Sequence, residues 1–280
     1  MTANKVEIPV TYLRSSKGLS AINLRELWLY RELIVFLIWR DVKVRYKQTF
    51  LGAAWAILQP VLTMVVFTIF FGNLADMPSD GIPYPIFSYT ALLPWQLFSK
   101  ALSDAARSLV SNRHMLTKVY FPRLVLPISS ILGGLVDFAI AFVVLAGLMI
   151  YFQTPFSWRI LTLPLFLVLA LTAALGVGLW LSALNVLYRD VAYVMPFITQ
   201  FWMFITPIVY PASMIPEKWR ILYYLNPMTG VVEGFRWALL GHQTKLPAVM
   251  IVLSIVITIL VLVSGLFYFR RMERQFADMV

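Results

Sequence analysis

Long apolar runs separated by short polar stretches dominate the chain. The last of them, LPAVMIVLSIVITILVLVSGLFYF, contains no charged residue. A bilayer core about 30 Å thick requires roughly 20 helical residues to cross. Six runs have a suitable length, at about 51–71, 86–106, 124–151, 160–184, 192–212 and 247–269. The pattern predicts an all-α integral membrane protein whose six transmembrane helices form one domain over residues 49–270.

Two segments depart from this simple alternation. On a 3.6-residue period, residues 24–48 gather Leu24, Leu27, Trp28, Ile34, Val35, Ile38 and Val42 on one face, and Arg25, Glu32, Arg40, Lys43 and Lys47 on the other. Arg31 and Arg45 fall near the apolar face. This predicts an N-terminal amphipathic interface helix lying in the membrane surface. The competing reading is a plain basic stop before the first span, for which the segment is long. Residues 213–246 are too apolar for a loop in water, yet Pro216, Pro227 and Gly230 interrupt them. Irregular backbone at membrane depth is tolerated only against protein or a water-filled cavity. A re-entrant helical pair on the outer side is therefore predicted before the last span, with a peripheral amphipathic helix as the alternative. Glu233 and Arg236, three residues apart, are spaced to pair inside it.

Charge then orients the spans. With alternate loops assigned to opposite sides, eighteen lysines and arginines fall on one side and five (Arg159, Lys218, Arg220, Arg236, Lys245) on the other. Cytoplasmic loops carry such an excess, so both termini are expected inside, as cytoplasmic tails over 1–23 and 271–280. The net charge of +10 mostly reflects this bias and does not imply nucleic acid as a partner. Composition agrees, at 60% hydrophobic and 13% charged residues. The polar opening MTANKVEIPVTYLRSSKG lacks the apolar core of a cleaved signal peptide.

Candidate chemistry is sparse. The chain has no cysteine and two histidines, His114 and His242, neither among carboxylates at ligand spacing. No G-x-x-x-x-G-K-[ST], H-E-x-x-H or G-x-S-x-G motif occurs, so no phosphate-cradling loop, zinc-protease helix or nucleophile elbow is expected. No catalytic residue and no metal site is assigned. Ala170, Ala174, Gly178 and Ser182 recur every four residues, a small-residue stripe that lets helices approach closely. Asp137, mid-way along the third span, is costly in hydrocarbon and is expected to face protein with a partner. A structural hydrogen bond is favoured over a proton relay, because the sequence pattern suggests no second buried acid or histidine beside it.

Three stretches together resemble a known family: RDVKVRYKQTFLGAAWAILQP (40–60), NRHMLTKVYFPRLVLP (112–127), and LNVLYRDVAYVMPFITQFWMFITPIVYP (184–211) with LNPMTGVVEGFRWALL (225–240). They resemble the membrane, or permease, subunit of type-2 ABC exporters, in the subgroup that moves lipid-linked polysaccharides such as O-antigen, capsule and teichoic acid. The resemblance covers about residues 24–270, and its specificity lies in the combination of R-Y-K-Q-x-x-L-G, K-x-x-F-P-R and Y-R-D.

The resemblance implies a half-transporter in a bacterial cytoplasmic (inner) membrane that translocates an undecaprenyl-pyrophosphate-type polysaccharide. Its implied partners are a second copy of itself and two copies of a separate ABC ATPase, which binds ATP and Mg. No cofactor is expected in this chain, in keeping with the missing P-loop. Implied roles follow by segment. Loop 107–123, with Arg113, Lys118, Phe121 and Arg123, corresponds to the coupling segment, and Arg189 with Asp190 supplies a second contact for the ATPase. Asn226, Pro227, Glu233 and Arg236 fall in the outer gate. Arg40, Lys43, Arg45 and Lys47 on the interface helix are candidate contacts for an anionic lipid pyrophosphate head, with Trp39 and Tyr46 at headgroup depth.

The family's channel is lined by its first, second and fifth spans. In this chain those spans carry Trp55, Gln59, Thr63, Phe67 and Phe71; then Tyr84, Phe87, Trp95 and Phe98; then Phe197, Gln200, Phe201 and Phe204. Aromatic rings and scattered hydrogen-bonding groups suit the C–H faces and hydroxyls of a sliding sugar polymer. The same residues also suit membrane interfaces and helix packing. The alternatives are a permease of the same fold for teichoic acid or a small amphiphile or drug, and, in a different class, a membrane enzyme or assembly factor of envelope glycan synthesis without transport.

Overall fold

The computed structural model describes residues 24–47, 52, 54–155, 157–241, 248–273 and 276. The expected tail 1–23, the R-Y-K-Q-x-x-L-G motif beyond Lys47 apart from Gly52, the close of the expected gate at 242–246, and most of the expected C-terminal tail lie outside the described residues. Every regular element among the described residues is helical.

The interface segment forms α1 (Leu24–Leu29) and α2 (Arg31–Lys47), with helical bonding carried across the joint by Ile34 N donating to Tyr30 O at 3.1 Å. Its inward face differs from the expected one. Leu37 is fully buried, and Leu27, Tyr30, Leu33 and Ile34 pack with it on Phe121, Leu124, Val125 and Phe269. Trp28 and Val35, assigned to the apolar face, point outward. The sequence period fixes which residues share a face, but a helix with this many large apolar residues all round carries two candidate faces, and tertiary contacts choose between them.

Next come α3 (Ala54–Phe67), continued by a π-helical turn over Thr68–Leu74, then α4 (Tyr84–Ser111), α5 (Arg113–Lys118), α6 (Val125–Leu132) and α7 (Gly134–Tyr151). The chain continues through α8 (Leu163–Leu187), α9 (Val191–Ile205), α10 (Glu217–Tyr224), α11 (Pro227–Leu240) and α12 (Ala248–Glu273). Four helical stretches are long and apolar enough to cross a membrane: Ala54–Leu74, Val125–Tyr151, Trp158–Leu187 and Ala248–Glu273. The expected third span is the stretch Val125–Tyr151, in which α6 and α7 join at Gly133, itself in helical conformation. The expected second span is α4, which at 28 residues is long enough but more polar, and most of its length is buried by the rest of the chain. The expected fifth span, α9, has only 15 residues. It stops because Pro207 disfavours helical backbone at the residue before it, and Thr206 is accordingly extended, with ψ 138°.

Helix α4 is the axis of the bundle, and α8 lies against it through the small-residue stripe. Ala170, Ala174, Gly178 and Ser182 are all buried, and a Cβ on Gly178 would sit 2.8 Å from the Ala105 methyl. On its other side α8 meets α12 at a second close crossing: a Cβ on Gly265 would lie 2.3 Å from the Gly176 carbonyl oxygen. Van der Waals contact is the main glue between helices in lipid, so these crossings hold the bundle. Helix α11 is buried beside the first turns of α12, with Gly230 against Ser254 and Gly234 against the Phe166 ring. In contrast α10, the other half of the expected re-entrant pair, has no buried residue.

Candidate functional site

Three groups of predicted residues come together in different ways. The first lies at the C-terminal turn of α2. The Arg45 guanidinium donates to Asp137 Oδ2 at 2.7 Å, and the Tyr46 hydroxyl donates to Asp137 Oδ1. Lys100 Nζ stands 3.5 Å from the same carboxylate. Arg45 also reaches Asp104 at 3.5 Å, and Lys100 reaches it at 4.0 Å. Burial and the Asp137 hydrogen bond push the Tyr46 phenol above its ordinary range, so it stays a donor. The expectation of a partner for Asp137 holds, and Asp104, a partly exposed acid on α4, shares its cations. Lys100 and Asp104 are the members that sequence reasoning missed. Their signal was an i, i+4 pair inside a helix otherwise free of charge from Tyr84 to Ser99.

Arg45, Tyr46, Lys100 and Asp137 line a cavity of about 420 Å³, together with Trp55, Gln59, Gln96 and Ser99. Four charges at this point are tolerable because each cation faces an acid. Unpaired charge in a bilayer is expensive and is usually found facing a cavity or a partner. The other basic residues of the interface helix are placed differently. Arg40 is bonded to Asp41 and to the Asn112 side chain at the end of α4. Lys43 sits over the Trp39 ring, 4.4 Å from its centroid, and Lys47 is exposed.

The second group lies at the end of the bundle where α4, α5 and the close of α12 meet. Arg113 and Lys118 are exposed on and beside α5, as are Val119 and Tyr120, which sequence reasoning did not single out. Phe121 lies inward. It is buried, packed into a cluster with Leu37, Leu109, Phe269 and Phe276. Arg123 is likewise engaged within the chain, donating to the Glu273 carbonyl and lying over the Phe276 ring. The apolar cluster that anchors the loop therefore consumes half of its predicted docking residues. Arg189 and Asp190 are exposed on the turn before α9, and no ion pair joins them.

The third group lies at the opposite end. Arg236 is 1% exposed. It donates to Glu233 at 2.7 Å and to the carbonyls of Pro207 and Ile208 at 2.7 and 2.8 Å, and it lies 3.7 Å from the Phe87 centroid. Those carbonyls are unpaired in helix terms because α9 has ended there, and the planar guanidinium satisfies both at once. Asn226 caps α11 through Met228 N and also accepts from Trp202 Nε1 while donating to Thr206. Pro227 is the buried first residue of α11.

The predicted channel residues divide. Tyr84, Phe87, Trp95 and Phe98 are buried in the chain's own core, as is Phe67, with Phe71 half-buried beside it. Phe98 packs edge-on against Trp202, and the Tyr84 hydroxyl bonds to Val209 O. Within one chain these rings face protein. Thr63 is half-exposed and bonds back to Gln59 O. Trp55, Gln59, Phe197, Gln200, Phe201 and Phe204 face outward, and the Phe197 and Phe201 rings stack 6.3 Å apart. The second and fifth spans looked alike in sequence. They differ because α4 is surrounded and α9 is covered on one side only.

No group of three or more potential metal-ligating side chains occurs among the described residues. What remains is a helical bundle with an outward aromatic and amide surface, a basic end and a charge-lined cavity. The chain is 32% identical over 256 residues to the O-antigen export system permease protein RfbA of Myxococcus xanthus, covering 89% of this chain and 96% of that protein. It is 29% identical to the protein of the same name from Klebsiella pneumoniae, over 89% of this chain and 95% of the relative. To the polysialic acid transport protein KpsM of Escherichia coli it is 27% identical, over 72% and 78%. Residues 32–240, from the interface helix through α11, match the family described as ABC-2 type transporter, and the chain belongs to that family of transport subunits.

Proposed function

We propose that this chain is the membrane subunit of an ATP-driven exporter that carries a lipid-linked polysaccharide, such as O-antigen on an undecaprenyl-pyrophosphate-type carrier, across a bacterial cytoplasmic membrane. The observation that carries this reading is the near full-length similarity to permeases named for O-antigen export. In this reading α4 and α9 complete six spans with the four strongly apolar stretches, both termini are cytoplasmic, and α10 with α11 forms the re-entrant outer gate. Two copies pair so that the outward Trp55, Gln59, Phe197, Gln200, Phe201 and Phe204 line a shared conduit. Rings and amides offer a sugar chain many weak contacts and no tight one, which suits sliding. The Asn226 and Arg236 knots hold the gate helices to the end of α9.

ATP and Mg are bound by a separate ATPase, present in two copies, which docks on the exposed Arg113, Lys118, Val119, Tyr120, Arg189 and Asp190. Phe121 and Arg123 act behind that surface by anchoring the loop. The test is co-purification. Arg113→Glu with Lys118→Glu is expected to insert normally and lose the ATPase. Retention of the ATPase at wild-type stoichiometry would refute the docking surface.

A further inference from the structure

Three donors converge on one carboxylate at the wall of the α2–α3–α4–α7 cavity. Arg45 and Tyr46 each bond one oxygen of Asp137, and Lys100 stands 3.5 Å away. The arrangement is an anion site filled by the protein's own side chain. Its charges balance: Arg45 and Lys100 oppose Asp104 and Asp137, and each cation reaches both acids. A cation that releases one acid keeps the other, so exchange of Asp137 for another anion leaves neither Arg45 nor Lys100 without a counter-charge. The walls beside the cluster supply Gln59, Gln96 and Ser99 as further hydrogen-bonding groups and Trp55 as an apolar face. A phosphate offers more charge and more acceptor oxygens than a carboxylate and is the stronger partner for a guanidinium.

We propose that Asp137 is a built-in competitor: its carboxylate occupies the Arg45, Tyr46 and Lys100 donors that an anionic phosphate headgroup takes on loading, and so restricts loading to ligands able to displace it. This rests on the exporter reading and adds to it a residue that regulates access. It makes Asp137 an inhibitory group rather than a purely structural one, and the two roles predict opposite signs.

The experiment measures binding of a long-chain polyprenyl phosphate to the chain assembled with its ATPase in nanodiscs. Asp137→Asn preserves shape and removes the competing charge. It is expected to tighten binding roughly fivefold, the change that one unit charge near a membrane surface makes. Lys100→Gln is expected to weaken binding, and the neutral polyprenol is expected to bind all variants alike. Unchanged or weaker phosphate binding in an assembled Asp137→Asn complex would overturn the proposal. Should that variant fail to assemble, Asp137→Ser carries the same expectation and the same refutation. Inorganic pyrophosphate serves as a separate arm. If it alone is tightened and the lipid is not, the ligand is a soluble anion and the loading role is wrong. Failure of the exporter reading would show elsewhere, as surface polysaccharide that persists in a strain lacking this chain.

Discussion

A guanidinium shut away from water is stable only if its charge and its planar donors are matched, and Arg236 shows what that requires. Glu233 supplies the charge, and the two carbonyls left over at the end of α9 take the donors. Arg236→Leu would strand a mostly buried Glu233 and two carbonyls, and removing one partner of a buried pair costs about 3–5 kcal/mol. We expect Arg236→Leu to lower the thermal unfolding midpoint of the detergent-solubilised chain sharply. The double variant Glu233→Gln, Arg236→Leu should recover part of that loss. A single variant as stable as wild type would show that the pair does not hold α11 to the end of α9. The Glu233–Arg236 contact was legible in the sequence because its members are three residues apart on one helix. The partners of Asp137 were not, since Arg45 lies 92 positions away and no local period reports such a contact.

At the scale of elements, the small-residue stripe of α8 was read correctly as a packing face, but a four-residue period reports only one side of a helix. The second crossing, Gly176 against Gly265, falls off that period and emerged only with α12 in place. A methyl on Gly265 must displace backbone, not a flexible side chain, and such overpacking costs about 1–3 kcal/mol. Gly265→Ala is therefore expected to reduce the yield of folded chain and its unfolding temperature, whereas Gly147→Ala, where nothing lies within 4 Å, should do neither. Equal stability of the two variants would mean that α8 and α12 are not so closely apposed. The interface helix was legible as an element, and its orientation was not. Its apolar residues are spread around the helix, and Leu37 was chosen as the buried contact by the Phe121 and Phe269 pocket. Truncating a buried leucine costs about 2–5 kcal/mol, so Leu37→Ala should detach α2 from the Phe121 segment and the end of α12. Increased protease cleavage within α2 would report it, and an unchanged cleavage rate would count against this anchoring.

For the whole molecule, the alternation of apolar and polar runs located nearly every long helix. What it could not supply was which helix ends up inside. The aromatic rows of α4 and α9 read alike, and only assembly sends one into the core and leaves the other outward. Orientation rests on the charge excess alone, and a chain without cysteine lends itself to a direct check. Cysteine at Ser213, exposed near α10, should react with an impermeant thiol reagent in intact cells, and cysteine at Ser111 should not. The opposite labelling would invert the assignment of both ends. The central claim is that this chain moves a finished, lipid-linked polysaccharide outward. The most direct measurement follows that polymer after depletion of the chain from its host, with surface and intracellular pools quantified separately. The account predicts loss of surface polysaccharide, accumulation of the lipid-linked polymer inside, and restoration of export by the wild-type chain. Undiminished surface polysaccharide with no internal accumulation would contradict it.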